Sequence, residues 1–201
     1  MVNKKTFTHG QLHAKLTAGS AHQLSIESGK GEVMALNPAI VTQLGTSEEA
    51  LTKLLINDVN EVFCTMVGLE DLLHIPHEID PVSHFENCVT AMVGMAGAYN
   101  GMVSLHAPHN LAKAFTSHML GMEVTEIDAD VHDALGEIAN MIAGSFKHHF
   151  SNGGSDVKLS TPSVLNGKEY VISAGNPADT LSLLFDVDNE WFIVSVILEK
   201  E

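Results

Sequence analysis

Positive charge is scarce in this chain: 10 Lys and Arg stand against 25 Asp and Glu, a formal net charge of −15 over 201 residues. Phosphate backbones and anionic lipid surfaces repel such a chain, which disfavours nucleic acid and membrane as partners. A protein partner with a local basic group is still compatible, and 12 histidines make the charge soft near neutral pH. Long apolar runs are also missing, so no stretch is expected to span a bilayer. The start MVNKKTFTHGQLHAKL lacks the apolar centre of a signal peptide, and a cytoplasmic location is expected. Cysteine is limited to Cys64, in a predicted helix, and Cys88, in a predicted strand. Without a CxxC pair, these suit reduced, buried thiols rather than a disulfide framework. The chain has no G-x-S-x-G elbow, no Ser/His/Asp arrangement that assigns a nucleophile, no tandem repeat and no low-complexity segment.

What is present is an apolar content of 45% and a mean hydropathy of +0.12, enough for one globular domain with an appended segment. Residues 1–45 are expected to be an N-terminal extension without an assigned role, and residues 46–201 the domain. Within the extension, Leu24–Ile26 and Val33–Leu36 bracket Ser28-Gly29-Lys30-Gly31 and suggest a small hairpin. The Gly-Lys pair there is not a phosphate loop, because Leu24 and Gly31 replace the required Gly and Ser/Thr. Thr46-x-x-Glu49 has the form of a capping box that opens a helix to about Leu69, with Leu51, Leu54, Leu55, Val59, Val62, Phe63 and Met66 as its apolar stripe.

Phe85–Met95 and Gly101–His106 are predicted to pair across the turn at Asn100-Gly101, and a short helix runs from Pro108 to Leu120. Met92, Met95 and Met102 in this region suit core filling. Strands are predicted near Val157–Leu159, Tyr170–Ala174, Leu181–Val187 and Trp191–Leu198, the last two joined at Asp188-Asn189. Runs of strands beside two long helices indicate an α+β domain with a mainly antiparallel sheet. His74-x-x-His77 and His148-His149 are read as exposed histidines rather than metal ligands, since no third ligand is evident. Asp128-x-Asp130-x-x-Asp133 lacks the glycine of a calcium loop and suits a helix start.

That helix is the most informative stretch. Val131, Leu135, Ile138, Ile142 and Phe146 recur at steps of three and four, so they share one face. Asp128 and Asp130 suit the start; Lys147, His148 and His149 suit the end, with Asn152-Gly153-Gly154 as the stop. On the opposite side Asp133, Glu137 and Asn140 form a polar stripe flanked by Gly136 and Gly144. Each glycine costs a helix interior about 1 kcal/mol relative to Ala. Periodicity leaves two readings open: an ordinary solvated face, or a helix surface shaved so that another macromolecule comes close.

The arrangement Asp133-x-x-x-Glu137-x-x-Asn140, followed by Thr161-Pro162, resembles the signature of the CheC/CheX/FliY phosphatases. The wording ALGEIANMIAG and then STPSVLNG is most similar to the CheX branch. The proline comes one residue earlier than in the family pattern, consistent with a shortened loop around Asn152–Ser155. The resemblance extends from about Glu49 onward and is dense between Val131 and Gly167. It implies an internally duplicated α+β fold with two long pseudo-duplicated helices, and hydrolysis of the aspartyl phosphate on a CheY-like receiver domain.

By the same resemblance, Asn140 orients the attacking water and Glu137 docks a lysine of the partner. Asp133, Gly136 and Gly144 belong to the partner-binding surface, and Pro162 has a structural role. No cofactor or metal of the chain's own is implied; Mg2+ is expected in the partner. Asn57, on the polar face with Lys53 and Asn60, stands where the first helix would need Glu, so a single site is expected. A homodimer is expected to use sheet edges, with Trp191–Leu198 as a candidate edge. A non-catalytic module that binds a receiver or another signalling protein is the competing expectation.

Overall fold

A computed structural model describes residues 13–15, 25–27, 36–70, 72–75, 84–150, 153, 156–172 and 179–199. Two short strands, β1 (His13–Lys15) and β2 (Ser25–Glu27), pair with each other. Strand β2 pairs with β1, while the expected hairpin of residues 24–26 with 33–36 falls largely on residues outside those described. Helix α1 (Pro38–Leu44) follows. Leu36 and Ile40 are buried in the main core, so packing of the domain begins ahead of residue 46.

Helix α2 (Glu48–Val62) is capped one residue later than the sequence suggests. Ser47 is extended and its hydroxyl accepts from the Ala50 amide at 3.2 Å. Glu49 is therefore free to pair with Lys53 one turn on, while Glu48 accepts from the Leu36 amide at 3.0 Å. The helix widens into a π-helical turn over Phe63–Val67 and stops at Gly68, whose φ of 73° suits glycine.

The remaining elements are β3 (Leu73–Ile75), β4 (His84–Gly97), β5 (Asn100–Pro108), α3 (His109–Leu120), α4 (Ala129–Lys147), β6 (Val157–Leu159), β7 (Ser163–Val171), β8 (Thr180–Val187) and β9 (Glu190–Glu199). Seven strands form one antiparallel sheet in the order β3-β8-β9-β5-β4, with β6 and β7 sharing the far side of β4. The α+β architecture with a mainly antiparallel sheet is as expected. Asp188 and Asn189 both have positive φ, 54° and 65°, and close a two-residue hairpin between β8 and β9.

Three expectations are corrected. The C-terminal strand β9 lies between β8 and β5, so it is interior to the sheet and offers no edge for a dimer. Strand β7 starts at Ser163 rather than near Tyr170, with Asn166 and Gly167 inside its ladder opposite Val89 and Cys88. Cys64 is exposed in the π-helical turn, whereas Cys88 is buried and burial pushes its thiol up to about 12.

Side-chain alternation sorts the strands into two faces. Val89, Ala91 and Val93 of β4, Leu183 and Phe185 of β8, and Phe192, Val194 and Val196 of β9 join the helices in the main core. Cys88, Leu184 and Ile193, from the intervening positions, form a second cluster with Phe85. Among the described residues, no helix is long and apolar enough to cross a membrane.

Candidate functional site

Helix α4 is fixed at its start by Asp128, whose carboxylate accepts from the amides of Asp130 and Val131. Val131, Leu135, Ile138, Ile142 and Phe146 are buried, as their spacing predicts, with Ala134, Ala139 and Ala143 widening the buried arc. This burial sets the rotation of the helix. Asp133 and Glu137 emerge exposed, Asn140 half-buried, and Met141 exposed beside it. No hydrogen bond or ion pair among the described residues engages the side chains of Glu137 or Asn140. An acid and an amide are thus presented together, next to a thioether, with their polar atoms uncommitted.

The two glycines differ. Gly136 is buried: a Cβ there would stand 3.2 Å from Pro162 Cβ and 3.7 Å from Val164 Cγ2. It narrows α4 so that the chain passing from β6 to β7 lies against the helix. The expectation that Gly136 clears surface for a partner is corrected, because the space is filled by the chain's own proline. Gly144 is partly exposed, and nothing lies within 4 Å of a Cβ placed on it. Pro162 is itself exposed at the head of β7. The preceding Ser160 is tied to β4, its amide donating to Gly94 O and its hydroxyl accepting from Gly94 N, both at 2.9 Å. Pro162 is thereby held against α4 at Gly136.

Helix α2 repeats the geometry with different side chains. Aligning Asn57 with Glu137 aligns Asn60 with Asn140, Lys53 with Asp133, and Leu51, Leu55, Val59 and Val62 with Val131, Leu135, Ala139 and Ile142. Exposure agrees position by position: Lys53 and Asn57 are exposed and Asn60 is half-buried, while the four apolar residues are buried. The acid of the pair is absent from α2.

Sequence reasoning missed a polar link between the two helix ends. His149 Nε2 lies 3.0 and 2.9 Å from the two carboxylate oxygens of Asp58, which is buried on α2. Burial raises the Asp58 pKa, opposed by the hydrogen bond and charge of His149. His149 is exposed, as expected, and its ring also serves this buried acid. His148 Nδ1 is 2.9 Å from Gly153 O. His77 lies outside the described residues, and His74 is half-buried against Phe185.

The family model for Chemotaxis phosphatase CheX matches residues 89–186. The CheY-P phosphatase CheX of Thermotoga maritima is 27% identical over 123 residues, covering 60% of this chain and 77% of that protein. The crystal structure of the chemotaxis protein CheX from Desulfovibrio desulfuricans superposes with a TM-score of 0.61 at 27% identity, over 75% of this chain and 99% of that one. The CheX–CheY–BeF3–Mg2+ complex from Borrelia burgdorferi shares the fold at 18% identity and a TM-score of 0.59, over 75% and 98% of the two chains. The α4 face, the α2 counterpart and these matches together show that the chain is similar to the CheC/CheX chemotaxis phosphatases, and to CheX in particular.

Proposed function

We propose that the chain hydrolyses the aspartyl phosphate of a CheY-like receiver domain, using Glu137 and Asn140 on α4. The observation that carries this reading is the joint presentation of an uncommitted carboxylate and amide on one outward helix face. The T. maritima relative is named a CheY-P phosphatase, and the B. burgdorferi relative is captured with CheY, BeF3 and Mg2+.

The receiver's own Mg2+ supplies charge neutralisation at the phosphoryl group. Asn140 accepts a hydrogen bond from a water and holds it in line with phosphorus. A bond forms from the water oxygen to phosphorus, the bond from phosphorus to the aspartyl oxygen breaks, and inorganic phosphate leaves with the water proton passing to solvent. An amide is too weak a base to take that proton, so its contribution is positioning. Glu137 pairs with a cationic side chain beside the phosphate and sets the register of docking. Asp133 adds negative charge to the same surface, and Gly144 leaves room for the receiver to approach. Neither cysteine competes as nucleophile: Cys64 is in the turn after α2 and Cys88 is buried.

One site is expected, because Asn57 cannot supply the charge that Glu137 does. A homodimer built by sheet extension would use β3 or the β6/β7 side, the outer strands of the described sheet. The test is phosphate release from a phosphorylated receiver by wild type, Asn140→Ala and Glu137→Lys. Equal rates for all three remove the catalytic assignment, and receiver binding by wild type without release selects a docking module instead.

A further inference from the structure

Asn140 and Met141 follow Glu137 by three and four residues, so both lie one helical turn beyond it, one to either side. Met141 is the one large apolar side chain of α4 that stays outside the buried arc, at 36% exposure. Gly144, with open space around it, comes at the next turn. The face carries Asp133 and Glu137 without a lysine, since Lys147 turns away to donate to Val157 O at 3.2 Å. Helix α2 supplies an internal comparison. Where Asn57 aligns with Glu137 and Asn60 with Asn140, Glu61 takes the place of Met141 and Cys64 that of Gly144, both exposed. The thioether and the cleared space accompany the acid on α4, and all three are replaced on α2.

An acid paired with a cation in open water contributes little, because solvent screens the charges and both side chains lose freedom. The same pair gains strength once an apolar neighbour excludes water from it. We propose that Met141 is a specificity-determining contact for the receiver: a domain engaged by Glu137 and Asn140 covers it with an apolar side chain next to its own cationic one. This role rests on the phosphatase reading and deepens it, by naming the chemistry a receiver needs at that face. Helix spacing commits Met141 to the receiver, because residues four apart stand about 5–6 Å from each other at Cβ, so a domain that closes on Glu137 and Asn140 overlies it. A flexible thioether adapts to the apolar shape it meets. Met141 reaches neither phosphorus nor the attacking water in this arrangement, so it acts on formation of the complex and not on the chemical step.

The experiment uses the full chain and a CheY-like receiver from which wild type releases phosphate. Affinity for that receiver charged with BeF3 and Mg2+ is measured by fluorescence titration, and phosphate release by single turnover at saturation, for wild type, Met141→Gln and Met141→Leu. Gln is close to Met in length and helix propensity and the site is exposed, so Tm stays within about 2 °C of wild type. Met141→Gln weakens affinity about 10-fold with the saturated rate unchanged, and Met141→Leu keeps affinity within about twofold of wild type. A Met141→Gln variant that binds as tightly as wild type, or that lowers only the saturated rate, overturns the assignment; so does an equal loss of affinity in the Gln and Leu variants. Those outcomes leave the phosphatase reading standing, which falls instead on equal release by wild type and Asn140→Ala. Failure of wild type to dephosphorylate any receiver removes that reading and the Met141 contact with it.

Discussion

Gly136 on α4 and Pro162 at the head of β7 meet so closely that a methyl group on the glycine would stand 3.2 Å from the proline Cβ. The helix carrying Glu137 is seated against the sheet through this contact. Gly136→Val adds bulk against a fixed proline and introduces a β-branched residue into a helix; it destabilises by about 1–3 kcal/mol in urea unfolding. A stability equal to wild type would mean that Pro162 yields freely.

Gly144 gives the opposite outcome. With nothing within 4 Å of an added Cβ, Gly144→Ala gains helix propensity and stabilises by about 0.5–1 kcal/mol. If the receiver packs over this position, the same variant binds receiver more weakly, so stability and affinity move in opposite directions. Fluorescence titration with receiver and thermal unfolding of the same sample check both.

Asp58 and His149 link α2 to the end of α4. His149→Ala leaves a buried carboxylate without its donor and destabilises by about 1–3 kcal/mol near neutral pH. Asp58→Asn combined with His149→Ala recovers part of the loss, because the uncompensated charge is gone. Denaturant curves for the two variants measure the recovery directly.

His106 sets a pH dependence. It is buried, stacked on Phe85 at 4.4 Å, and its ring nitrogens bond Thr90 and Ser104 at 2.9 Å; burial drives its pKa down from 6.5 to about 3. The unfolded chain therefore binds a proton that the folded chain refuses between these values. The stability contributed by the neutral ring is fully present above pH 6.5 and is lost as pH falls toward 3, at up to about 1.4 kcal/mol per unit. His106→Asn flattens the difference in stability between pH 7 and pH 5 relative to wild type; an unchanged slope would assign the dependence to other groups.

Much of the α4 site is legible in the sequence because it is local. Five apolar residues at steps of three and four and an Asp cap fix the rotation of one helix, and in the structure Glu137 is exposed and Asn140 half-buried on the side away from the apolar face. Gly136 was misplaced because a helical wheel cannot show which neighbour covers its flank; Pro162 arrives from a different part of the chain and extends the buried arc. Strand β7 was shortened for a chemical reason: Asn166-Gly167 has the composition of a turn, and the strand is largely exposed, so its apolar alternation is weak. The interior place of β9 depends on nonlocal pairing with β5 and β8, which an apolar run alone does not reveal.

The central claim is that Asn140 places a water for attack while Glu137 governs docking. The most direct measurement is single-turnover loss of phosphate from a phosphorylated receiver, with saturating amounts of wild type, Asn140→Ala or Glu137→Gln. At saturation Asn140→Ala slows release by about 10²-fold with receiver affinity retained, while Glu137→Gln loses mainly affinity. Release by Asn140→Ala at the wild-type rate would contradict the account.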